Sequence, residues 1–161
     1  MNAIQITIPL IFCFIAVAMT FFRRLPACLV AYIAYVLAGV MGVFKIPVEQ
    51  YLIWGIIAVA DTVNIYATRM EPPRSMQLYA VVGCLVGCLV GGVSLTMASI
   101  MIGGAIGAAV GFLAYTRTPQ GMAMKVPMTH KLSMLAGSAC TAWFSYVLVF
   151  IVLFRILYPN S

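Results

Sequence analysis

Charge is what this sequence has least of. Of its 161 residues only 7% are Asp, Glu, Lys or Arg, where an ordinary soluble domain carries about 25%. So small a stock cannot coat a soluble surface, and the 65% of residues that are hydrophobic must face something other than water. Acid is scarcer still: Glu49, Asp61 and Glu71 are the whole set, and paired carboxylates for acid–base work are not to be found among them. His130 is the single histidine, which excludes an H-E-x-x-H metal helix. No serine-base-acid trio and no phosphate-binding loop can be traced either. An enzyme is therefore the least expected class, and no cofactor is implied. The chain also lacks a solvated basic face on which Lys and Arg cluster with polar partners, which argues against nucleic acid as a partner.

Cysteine is present, but not as a framework. Cys13, Cys28, Cys84, Cys88 and Cys140 all fall inside apolar runs, with neither a disulfide pattern nor a zinc spacing. Cys84 and Cys88 share a helical face and read as small packing residues. The first residues, Met1 to Gln5, lack the basic n-region of a secretory signal, and the apolar run after them continues to Phe22. It is too long for a signal h-region, so a retained first span is expected.

What the sequence does contain is long apolar runs separated by short basic connections. A hydrocarbon core of about 30 Å needs roughly 20 helical residues. Spans are predicted over 4–22, 26–44, 48–67 and 131–157, bounded by Arg23-Arg24, Pro26, Lys45 and the turn Glu71-Pro72-Pro73-Arg74. Between Ser75 and Thr116 lie 42 residues without a charge, about 63 Å if drawn as one helix. Gly83, Gly87 and Gly91, then Gly103, Gly107 and Gly111, repeat at every fourth position on either side of a small polar stretch. Two short helices, 76–93 and 99–115, joined by a tight hairpin are expected there.

Charge provides a check on that division. With six spans, Arg23, Arg24, Arg69, Arg74, Arg117, Lys125 and Lys131 fall on one side, leaving Lys45 and Arg155 on the other. Merging the glycine helices would almost balance the two sides. The positive-inside rule favours six crossings, or a deep re-entrant hairpin at the same place, with the basic side in the cytoplasm and both termini outside. The expected fold is an all-α polytopic membrane helix bundle forming a single domain, with Tyr51, Trp54 and Tyr158 at the outer interface and Tyr66, Tyr79 and Tyr115 at the inner one.

Two features compete as functional candidates. Small residues at every fourth position let helices approach in lipid, where hydrophobic drive between them is weak; Ser133, Gly137, Thr141 and Ser145 repeat the spacing in the last span. Packing of the chain's own hairpin is the first reading of these stripes, oligomerisation the second, and a path lined by bare backbone the third. Asp61 is the one acid well inside a span, with Asn64 three residues on and so on the same helical face. A carboxylate at that depth is costly and seeks a partner; Arg69, Arg74 or a tyrosine hydroxyl are the candidates, with Thr62 and Tyr66 as neighbours. It reads as a structural clasp first and as a proton-coupling or substrate site second. His130, in the basic loop, reads as solvated.

The chain resembles a family of small bacterial multi-pass membrane proteins with glycine zippers, catalogued as a domain of unknown function, in its Bacteroides-like version. The likeness is carried by Leu25-Pro26, the run from Tyr51 to Ile57 leading to Asp61, the basic turn before the first zipper, and the two zippers followed by a basic loop and a final span. It departs in Ser94 to Ser99, where the family has proline and glycine, and at Gly111-Phe112, where Gly-Glu is frequent. The resemblance implies a multi-pass protein of the bacterial inner membrane and no particular activity. Two functional classes remain open: a non-enzymatic component, either a homo-oligomer or a subunit of a larger membrane complex, and a small transporter, channel or lipid-moving protein working through Asp61.

Overall fold

The computed structural model describes residues 3–22, 25–67, 73–94 and 96–157, without the side chains of 132 and 134–138. Arg23, Arg24, Arg69 and Tyr158, assigned above to topology and to the aromatic belt, lie outside the described residues, as do the surroundings of Gly137. The described residues are all-helical: α1 Ala3–Thr20, α2 Ala27–Val40, α3 Val48–Ala67, α4 Arg74–Gly92, α5 Met97–Thr116, α6 Pro119–Ala123 and α7 Met128–Leu157.

Among the described residues, four stretches are long and apolar enough to cross a membrane: α1, α4, α5 and Ala139–Leu157 within α7. α2 is apolar but has only 14 residues, about 21 Å of helix. α3 has 20 residues, yet it opens on Glu49-Gln50 and is interrupted by Asp61, Thr62 and Asn64, and it falls outside that apolar set.

Local chemistry explains where the helices differ from the hydropathy boundaries. α2 stops at Val40 instead of reaching Phe44 because Gly42 adopts a φ of +74°. The Gly42 N–H bonds to the Gly39 carbonyl and the Val43 N–H to the Ala38 carbonyl, both at 3.0 Å. This pair is a Schellman motif, with Val43 and Ala38 buried together beneath it. α5 begins at Met97 because Thr96 Oγ1 accepts from the Ser99 N–H at 3.3 Å, an N-cap. α7 begins three residues before the expected Lys131, since Pro127 offers its carbonyl to the N–H groups of His130 and Lys131. His130 is thus exposed on the first turn of a helix, not in a loop. The connection before it holds an unforeseen helix, α6, capped by Thr118 Oγ1, which accepts from Gly121 N–H at 3.1 Å, with Pro119 at its first position.

By packing, the chain divides into two compact units, Met1–Ile65 with Phe144–Ser161, and Tyr66–Trp143. In the first, small residues fill the interior. Cys13 and Ala16 of α1 and Cys28, Ala31, Ala34 and Ala38 of α2 are all buried, while Ile4, Phe14, Ile56 and Val63 point outward at 60% exposure or more. Tyr35, Tyr146 and Leu148 are the largest side chains buried among them. In the second, α4 and α5 pack against each other along their whole length, and Met76, Phe112 and Tyr115 form a cluster at the end where α4 starts and α5 finishes.

Candidate functional site

The first candidate lies on α3. Asp61 is 6% exposed, one turn after the buried Ala58, and stands within electrostatic reach of Cys28 on α2. Its Oδ2 is sealed and accepts no hydrogen bond among the described residues, although Asp61 as a residue has further interactions. Asn64 is exposed, so the two polar residues share a helical sector and not an environment. Thr62 Oγ1 donates to the Ala58 carbonyl at 2.7 Å, its backbone serving as partner. Tyr66 is 66% exposed.

Around this site the first unit is tied by hydroxyl groups that hydropathy did not single out. Thr20 Oγ1 and Tyr146 Oη lie 2.7 Å apart, joining α1 to α7. Tyr35 donates to Gln50 Oε1 at 2.8 Å and Tyr32 to the Tyr51 carbonyl at 3.0 Å, both joining α2 to α3. Tyr35 also packs its ring against Phe44 and Tyr51, with centroids 5.7 and 6.1 Å away. A signal for them was present: a tyrosine inside an apolar segment must place its hydroxyl against an acceptor when the surroundings have none to spare. What was not legible was which acceptor.

The second candidate is the α4–α5 hairpin. A Cβ built on Gly83 would run into the Gly107 carbonyl, one on Gly87 into that of Gly103, and one on Gly111 into that of Tyr79. Gly103 and Gly107 face the carbonyls of Gly87 and Gly83 in return. The six glycines therefore face each other across the hairpin, backbone to backbone. At its turn, Ser99 Oγ donates to the Gly91 carbonyl at 2.7 Å, closing the last turn of α4 onto the first of α5.

The opposite side of the hairpin holds Cys84 and Cys88, both buried and one turn apart on α4. Gly104 is a different kind of glycine, because a Cβ there would meet side chains, Cys88 Sγ at 2.6 Å and Trp143 Cδ1 at 2.8 Å. Trp143 Nε1 donates to the Met101 carbonyl at 2.9 Å, tying α7 to α5. Of the small residues at four-residue spacing on α7, Ser133 is exposed whereas Thr141 and Ser145 are buried.

The basic residues of the second unit gather at the open end of the hairpin. Arg74 is the first residue of α4 and Arg117 the C-cap of α5, both exposed. Lys131 donates to the Gly121 carbonyl at 3.3 Å, and Gly121 itself lies against the Tyr115 carbonyl. In the first unit, Arg155 lies within electrostatic reach of Tyr35, near the α2–α3 turn that carries Lys45. Among the described residues no group of three His, Cys, Asp or Glu side chains converges as a metal site would require. Comparison with known proteins found no matching family model, no matching curated protein and no matching solved structure.

Proposed function

We propose that this chain is a non-enzymatic component of a bacterial inner membrane, a six-crossing helix bundle that works by association, as an oligomer or as a subunit of a larger membrane complex. The observation that carries it is the inversion of the usual arrangement of side-chain sizes. Large aliphatic residues such as Ile56, Val90 and Ile106 face outward while alanine, cysteine and glycine line the contacts between helices. That arrangement suits lipid outside and close van der Waals packing inside. The kinship with glycine-zipper multi-pass proteins is part of the same reading.

Six crossings are supported by the placement of charge within each unit. Arg155 and Lys45 lie at one end of the first unit, and Arg74, Arg117 and Lys131 gather at one end of the hairpin. In this reading the hairpin end is cytoplasmic and both termini are outside. Because the glycines are engaged with each other, association uses the remaining apolar faces. The mass of the purified chain in mild detergent, read together with the proteins that accompany it, tests this. A solitary monomer would count against the association reading, and labelled termini found in the cytoplasm would overturn the topology.

A second reading, a small transporter or lipid-moving protein, is favoured by one observation, the burial of Asp61 on a helix whose other polar positions are mostly exposed. Asp61→Asn separates the two by measurement of flux in liposomes beside folded yield. Flux lost at normal yield favours transport, whereas reduced yield without flux in either form favours a structural clasp.

A further inference from the structure

A groove of about 910 Å³ runs along one face of the α4–α5 hairpin. Its floor is the backbone of the facing glycines, and its walls are two rows at four-residue spacing, Val82, Val86 and Val90 on α4 and Ile102, Ile106 and Val110 on α5. These six side chains are between 45% and 67% exposed. All are β-branched and stiff at χ1, so the walls hold their shape without a partner. From Leu78 to Gly91 the groove follows about 20 Å of helix, more than one leaflet's share of a hydrocarbon core about 30 Å thick.

The two mouths of the groove differ. One is the hairpin turn, with the neutral Ser94 and Ser99. At the other, Arg74 continues the valine row, four residues before Leu78 and eight before Val82, and Arg117 continues the opposite row, seven residues after Val110. Both are exposed. Among the described residues of this unit there is no Asp or Glu, Glu71 lying outside them, so the two guanidinium groups crown the walls without a described carboxylate of the unit beside them.

We propose that the groove holds an acyl chain of an anionic phospholipid, with the phosphate taken between Arg74 and Arg117. The inference rests on the reading that the chain is embedded in a bilayer. The acyl chain gains dispersion contacts against stiff walls and bare backbone, and the phosphate neutralises a pair of forked donors suited to it. A second copy fits this face less well. Copies in one membrane share an orientation, so two-fold packing of the face on itself brings four arginines to the same level with no acid among the described residues of the unit to offset them.

Native mass spectrometry of the full-length chain in mild detergent, with dioleoyl phosphatidylglycerol and dioleoyl phosphatidylcholine, tests the proposal, because these lipids share chains and differ in net charge. The wild type should retain the anionic lipid roughly thirtyfold better, the scale expected for two basic side chains at the surface. Arg74→Gln with Arg117→Gln should bring the two lipids near parity, and Arg74→Lys with Arg117→Lys should keep most of the preference. Val86→Trp, which fills the groove from a wall and not from the packed glycine face, should lower retention of both lipids. Helical circular dichroism and a single elution peak establish that each variant is folded. Equal retention by the wild type, a preference unchanged in the double Gln variant, or a lipid-free dimer broken by Val86→Trp would each overturn the proposal. Carbonate washing separates this from the reading beneath it: a chain that stays in the membrane without lipid preference loses only the groove assignment, and one that washes out loses both.

Discussion

The first unit holds its helices together with alanine, cysteine and a few tyrosine hydroxyls; the second joins its hairpin backbone to backbone through glycine. In the first, α2 presents Ala31, Ala34 and Ala38 to its neighbours, and specificity comes from single hydrogen bonds such as Thr20 to Tyr146. In the second, α4 and α5 approach so closely that no side chain fits at Gly83, Gly87, Gly103 or Gly107. The difference teaches that two packing rules operate in one short chain. One tolerates small adjustments because side chains can move, and the other is rigid because backbone cannot.

The sharpest break of that comparison is Gly87→Ala. Alanine is the better helix former by about 1 kcal/mol, but its Cβ would meet the Gly103 carbonyl, its carbonyl carbon and the Gly107 Cα. None of these is the end of a flexible side chain, so overpacking wins, at about 3 kcal/mol of lost stability. Denaturant titration of the purified chain in detergent checks this, and a variant as stable as the wild type would show that the hairpin is looser than described.

Gly104→Ala is the control within the same hairpin. Its new methyl meets Cys88 Sγ and the edge of Trp143, which can shift, so the expected loss is smaller, about 1 kcal/mol in the same titration. Adding Cys88→Ala should restore part of it by vacating the contact. If the double variant fell further than the single one, the contact would not be the cause.

Tyr146→Phe probes the first unit. It removes the hydroxyl bonded to Thr20, but Thr20 still donates to the Val17 carbonyl at 2.7 Å, so no buried donor is orphaned. A loss of roughly 0.6–1 kcal/mol is expected. A double-mutant cycle with Thr20→Val should return a coupling of that size, and zero coupling would place the hydroxyl's value elsewhere. The smallest effect is expected at the groove wall: Val86→Ala, at a position 52% exposed, should leave stability within about 0.5 kcal/mol. A larger loss would mean that the wall supports the hairpin.

Much of this could be read in the sequence from particular residues. The basic turn at Arg74, the proline before α2 and the two runs of glycine marked helix ends and the hairpin, because charge, proline and glycine act locally. The Schellman stop at Gly42 and the small helix at Pro119 were missed: each depends on a few backbone hydrogen bonds that hydropathy averages away. Asp61 stood out as an acid in an apolar run, but the exposure of Asn64 beside it did not follow from their spacing.

By itself, the sequence determined that the chain is helical and apolar, where its charges gather, and that glycine recurs every fourth residue in two adjoining segments. Those are properties of composition and period, set by the cost of leaving backbone and charge unsatisfied. Only the tertiary structure decided which face of each helix is inside, that the two glycine stripes face each other, and that a valine and isoleucine groove opens beside them under two arginines. The reason is that in an apolar setting interior and exterior side chains are alike in hydropathy, so the choice of face falls to shape and to single hydrogen bonds, which exist only once the helices meet.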